Sequence, residues 1–110
     1  MGRGYAVASF HSGGVVPDDP AQAEQALRVS RAEQTRGPAD TATIMAWAWG
    51  FSRMVDVLQT LPEIDGGKIA VVGHSRNGKT ALVAAAYDSR ITMAIPSQAG
   101  CGGTAPNRPP

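Results

Sequence analysis

The chain has 110 residues, with ten basic and nine acidic side chains and a net charge of +1. That near-balance leaves no basic footprint for nucleic acid and no acidic solvating tail, so small or neutral partners are favoured. The length suits one small domain but falls short of the roughly 150 residues that a sheet-based enzyme usually needs, which raises the expectation of an incomplete unit.

One cysteine, Cys101, can neither staple a small core by an internal disulfide nor supply a paired thiol spacing for a metal. No run approaches the ~18 apolar residues of a membrane span. The opening MGRGYAVASFHSGG lacks the charged start, long apolar stretch and small-residue cleavage site of a secretory leader. A hydrophobic share of 43% with 13 Gly and 8 Pro points instead to a globular, turn-rich chain.

In chain order, GYAVASF (residues 4–10) is a short apolar run bounded by glycines and reads as a buried strand. HSGGVVPDDP has the glycines, prolines and aspartates of a loop. AQAEQALRVSRAEQTR (residues 21–36) is rich in helix formers but poor in large apolar side chains, so residues 20–37 read as a surface insertion. From Asp40 a helix is strongly signalled. Asp40 or Thr41 is placed to cap it, and Ile44, Trp47, Ala48, Phe51, Met54, Val55 and Leu58 recur at three- and four-residue spacing before Pro62 ends it. EIDGGKIAVVG then gives a turn and a strand over residues 68–72. The alanine-rich stretch from Lys79 to Tyr87 predicts a helix buried on at least one face, and ITMAIP (residues 91–96) a further strand. This alternation implies a parallel sheet with right-handed crossovers. Residues 104–110 read as a polar tail.

The loop AVVGHSRNGKT (residues 70–80) fits two chemistries. Gly73, Gly78, Lys79 and Thr80 satisfy the phosphate-binding pattern G-x-x-x-x-G-K-[ST], while Gly73 and Ser75 open the nucleophile-elbow pattern G-x-S-x-G. A phosphate cradle also needs a second strand ending in an aspartate to hold magnesium. The later strand ends AIPSQAG, without a carboxylate. An elbow needs a strand, a strained residue with small neighbours and a helix directly behind, so that a developing oxyanion meets backbone amides. All are present, with one departure: Asn77 stands where the second glycine is expected, and Gly78 comes one place later. A plain strand-to-helix turn with a capping serine remains the alternative.

DGGKIAVVGHSRNGKTALVAAAYDSRITMAIPSQAGCGG resembles the serine region of glucuronoyl esterases, whose hallmark is a serine followed by arginine and then a Gly-Lys pair. AWAWGFSRMVDVL resembles their preceding helix and RGYAVASF the strand before that, so the likeness covers most of the chain apart from residues 20–37. It implies a partial α/β-hydrolase domain, a parallel sheet with flanking helices, missing N-terminal and C-terminal strands. It also implies an activity: cleavage of the ester between lignin alcohols and the 4-O-methyl-glucuronic acid side groups of glucuronoxylan, with no metal or organic cofactor. Position by position, Ser75 becomes the nucleophile that forms the acyl-enzyme. Arg76 becomes the oxyanion stabiliser through its amide and guanidinium, and Lys79 a contact to the hydroxyls of the uronic acid. Family members generally act outside the cytoplasm, but the compartment of this chain stays unassigned.

Two departures qualify the likeness. One branch of the family has its triad acid as a glutamate where this sequence has Gln98, which can orient a histidine but cannot stabilise an imidazolium by charge; losing that charge costs on the order of 10⁴ in turnover in the serine protease precedent. Other members supply the acid from farther along the chain. The family's catalytic histidine lies downstream of Pro110. His74, next to Ser75 on a tight turn, diverges from it and reads as packing beside the elbow, while His11 reads as a loop residue near the site mouth. Trp47, Trp49 and Phe51 read as helix packing. Asp18, Asp19, Asp40, Asp65 and Asp88 read as loop, cap or surface carboxylates, and Cys101 as an inert turn residue. The family's order places another strand between residues 4–10 and 68–72, so unpaired sheet edges and self-association are expected of a fragment. A catalytically incomplete association module is the main alternative to an esterase, and a nucleotide-binding loop the lesser one.

Overall fold

The computed structural model describes residues 3–30, 37 and 40–106. Its elements are a short 3₁₀ turn (Ser12–Gly14), α1 (Pro20–Ser30), α2 (Thr43–Leu58), β1 (Ile69–His74), α3 (Arg76–Tyr87) and β2 (Ile91–Ser97). The far end of the expected surface helix (31–36) and the end of the tail (107–110) lie outside the described residues. No helix among the described residues is long and apolar enough to cross a membrane.

β1 and β2 pair in parallel, from Ile69 opposite Ile91 to His74 opposite Ser97, with α3 as the crossover between them. Alternation along β1 sends Ile69 and Val71 into the core and leaves Ala70 and Val72 exposed. α3 covers the inner face through small residues, Gly78, Thr80, Ala81 and Ala84, which let its backbone lie close to the strands. α2 closes the layer from outside. Ala48 and Val55 from α2, Ile69 and Val71 from β1, Ala81 and Ala84 from α3 and Ile91 from β2 form one buried cluster. A second cluster joins α1 to α2 through Val16, Ala23, Leu27 and Trp47, where the buried Trp47 indole N–H donates to the Val16 carbonyl at 2.7 Å. That bond removes the cost of burying the indole's polar edge.

Three expectations need correction. Residues 4–10 form no strand, because a run of apolar residues becomes one only beside a hydrogen-bonding neighbour, and none pairs with it among the described residues; Tyr5 and Val7 are 78% and 77% exposed. Phe10 alone of that run is well used, packing edge-on against Phe51 with ring centres 5.0 Å apart and lying where a side chain on Gly50 would stand, 2.8 Å from its Cβ. Neither Asp40 nor Thr41 caps α2: the N-cap is Ala42, without a side-chain cap, and the Asp40 carboxylate instead accepts from the Gly37 amide. Finally, Trp47 and Phe51 pack as expected but Trp49 does not. It is 58% exposed beneath the Arg53 guanidinium, which sits 5.3 Å from its ring centre, because a two-residue step from Trp47 turns it to the far side of the helix.

A charged clamp holds the lower end of α3 to α2. Arg90 grips Asp88 in a two-point contact, Nε to Oδ1 at 2.8 Å and Nη2 to Oδ2 at 2.6 Å, and reaches Asp56 of α2 through Nη1 at 2.7 Å. The Arg90 hydrogen bonds hold the nearly buried Asp88 carboxyl well below its ordinary value of 3.8; burial opposes them and the Ser52 hydroxyl assists. A carboxylate whose proton affinity drops on folding adds stability in full above the unfolded value of 3.8 and loses it as the pH falls toward the folded value. Thermal unfolding followed by circular dichroism should therefore show Tm falling below pH ~4, and Asp88→Asn should lower Tm by several degrees at pH 7 while flattening the acid limb.

Candidate active site

The carboxyl ends of β1 and β2 lie side by side, and the chain leaves β1 through a single residue before α3 begins. That residue, Ser75, has φ 55° and ψ −120°, a region sparsely populated by any residue with a side chain. It sits at the N-cap position, yet its hydroxyl makes no capping bond, and the side chain is exposed. A capping role does not describe it.

The surrounding backbone forces this conformation. The Ser75 N–H donates to the Ser97 carbonyl at the end of β2 (2.8 Å), and the Ser75 carbonyl accepts from Gly78 (2.9 Å) and Lys79 (3.3 Å) in the first turn of α3. Gly73 lies so close to that turn that a Cβ on it would run into the Asn77 carbonyl group. Gly78 is hemmed in likewise, its notional Cβ standing 3.1 Å from both the Gly73 and the Ser97 carbonyl oxygens. The departure from G-x-S-x-G thereby has a physical reason. The crowded positions are 73 and 78, while the Asn77 side chain faces solvent.

Arg76 is the first residue of α3, so its N–H has no intrahelical acceptor, and no turn or cap bond among the described residues uses it. The amide is left beside the Ser75 hydroxyl at the positive end of the helix. Its exposed guanidinium pairs with Asp18 from the loop before α1, Nη1 to Oδ1 at 2.7 Å. Lys79 lies one turn into α3, half-buried and with no ion pair among the described residues. Ser75, Arg76 and Lys79 thus share one turn. Gln98 follows directly on Ser97, exposed and with φ 47°, so it too stands at this end of the sheet.

The histidines are elsewhere engaged. His74 Nδ1 is 3.4 Å from the Ser97 hydroxyl across the strand pair, and the His11 ring folds over Gly13 of its own turn. Neither is bonded to Ser75 among the described residues. No group of three His, Cys, Asp or Glu side chains among the described residues could hold a metal ion. Sequence reasoning treated Asp18 as one loop carboxylate among several and missed its pairing with Arg76. With the two 58 positions apart in sequence, no local spacing could signal it.

A parallel strand, a one-residue strained bend carrying an exposed serine, and a helix with a free leading amide together make up the architecture of the α/β-hydrolase class. Within that class the chain belongs to the glucuronyl esterase family: the family profile described as "Glucuronyl esterase, fungi" matches residues 33–109. It is 39% identical to the carbohydrate esterase MZ0003 of an unknown prokaryotic organism, over 98% of this chain and 26% of that one. It is 52% identical to the 4-O-methyl-glucuronoyl methylesterase of Hypocrea jecorina over 54% of this chain and 14% of that one. Among solved structures, the glucuronoyl esterase from Solibacter usitatus superposes with a TM-score of 0.79 at 33% identity, over 86% of this chain and 25% of its own. The chain therefore spans about a quarter of the length of such relatives.

If the bend at Ser75 stores strain of ~1–3 kcal/mol, relieving it should show in stability. Ser75→Gly should unfold at a higher temperature than Ser75→Ala, which retains the Cβ, by about 4–8 °C for each kcal/mol recovered. Equal melting temperatures would mean that the backbone relaxes at no cost.

Proposed function

We propose that this chain carries the nucleophile segment of a serine carboxylic ester hydrolase acting on uronic acid esters of the glucuronoxylan type. The observation that carries this reading is the Ser75 bend, which lifts a hydroxyl clear of the sheet end directly in front of an unused helix-leading amide. In this reading Ser75 Oγ attacks the ester carbonyl and its proton passes to a base. The carbonyl oxygen, now negative, is held by the Arg76 N–H and guanidinium, and collapse of the tetrahedral species expels the alcohol and leaves an acyl-enzyme. Water then releases the uronate. Lys79, projecting from the same turn, supplies a cation for the sugar hydroxyls. No cofactor enters the scheme.

The base is to be sought among the remaining three quarters of the family's length, since neither His11 nor His74 bonds to Ser75. The same fact supports a second reading, an association module that keeps the bend without proton transfer. Exposed Val72, Met93 and Ile95 on the open face of the sheet favour self-association in that case.

A fluorophosphonate probe separates the two. With imidazole added as an external base, an activated Ser75 should be labelled, labelling should vanish in Ser75→Ala, and Arg76→Ala should slow it by about 10²–10³-fold if the guanidinium contributes what one oxyanion donor commonly does. No labelling even with the external base present would leave the association module, for which sedimentation should show a mass that rises with concentration.

A further inference from the structure

The Arg76–Asp18 pair sits oddly at a site meant to meet negative charge. We infer that Asp18 makes the Arg76 subsite discriminate against the free uronic acid in favour of its ester, a step that rests on the esterase reading above. The ester substrate is neutral at the reacting group, whereas hydrolysis leaves a carboxylate that carries a full charge at neutral pH. A guanidinium standing alone beside Ser75 would hold that product by a charge-assisted bond. Asp18 occupies the same guanidinium with a carboxylate of its own.

Three features of the pair fit this role. It is a single contact, Nη1 to Oδ1 at 2.7 Å, and the remaining guanidinium N–H groups have no hydrogen bond among the described residues, so a ligand can approach without first unmaking a fork. With the two side chains 64% and 47% exposed, the pair is weak enough to be displaced. And Asp18 leaves the Arg76 amide untouched. The transient oxyanion, covalently held next to Ser75, keeps that amide as well as the guanidinium. The released carboxylate is no longer held by a bond to Ser75 and depends on the guanidinium, for which it must compete with Asp18. The asymmetry favours letting the product go.

The test measures binding, not turnover. In a Ser75→Ala background, where the ester is not consumed, the dissociation constants of D-glucuronate and methyl D-glucuronate are compared for the 110-residue chain with Asp18, Asp18→Asn and Asp18→Glu, by ligand-observed NMR. Asp18→Asn should tighten the acid roughly threefold, the scale of an exposed ion pair, leave the ester unchanged, and lose its advantage at high salt. Asp18→Glu should behave as the parent. Unchanged or weaker binding of the acid in Asp18→Asn overturns the inference, since Asp18 would then be idle or needed to aim Arg76. Parallel shifts of acid and ester, or no binding of either ligand by any variant, overturn it equally. Fluorophosphonate labelling of the chain with Ser75 intact and imidazole added as base reports on the esterase reading separately, so that reading survives a failure here, and the reverse.

Discussion

The structure turns on one hydrogen bond, from the Ser75 amide to the Ser97 carbonyl. It is the last rung between β1 and β2, and it is made by a residue that has already left the strand direction. To donate there and still let α3 begin at the next residue, Ser75 has to take a backbone conformation that side chains disfavour. Gly73 and Gly78 follow from the same bond, because drawing the first turn of α3 against the strand ends leaves no room for a Cβ at either position. A serine hydroxyl pushed into solvent, a free amide behind it and two obligatory glycines are thus a single packing solution.

Such a bend survives only if the helix behind it cannot swing away. α3 is fixed at its start by Gly73 and Gly78, and at its end by Arg90, which binds Asp88 just past the helix and Asp56 of α2. Between them Ala81 and Ala84 are buried against Ile69, Val71 and Ile91. The charged clamp lies at the opposite end of the helix from Ser75, and its contribution is to keep the small-residue face of α3 seated, which keeps the turn tight. Strain at one end is balanced by ion pairing and burial at the other and between.

What could be read from the sequence divides along the same line. Elements held by local pattern were legible: the period of α2, the strands β1 and β2 and the small-residue helix α3 all lie within a few residues of the expected bounds, although α3 begins at Arg76 and not at Lys79. The strand expected at residues 4–10 was not, since a strand is a property of two segments and its pattern says nothing of a partner. The exposure of Trp49 followed from helix phase once the inward side of α2 was known. Asp18 was illegible for a stricter reason: ion pairing across 58 residues depends on where the loop before α1 is laid, and only tertiary packing fixes that.

The ambiguity of G-x-x-x-x-G-K-T against G-x-S-x-G also has its explanation in this turn. Both motifs require a strand to pass into a helix with little intervening chain, both need glycine where backbones collide, and both end with unbonded amides at the positive end of a helix. They part company in what the strained residue offers. A phosphate cradle aims several amides inward, toward one anion. Here the Ser75 amide is consumed by Ser97, and its carbonyl is taken by Gly78 and Lys79, so Ser75 has spent its own polar backbone groups on holding the turn's shape. What the turn leaves outward is one hydroxyl and the first two amides of α3, those of Arg76 and Asn77, a group suited to an attacking oxygen and the charge that develops beside it.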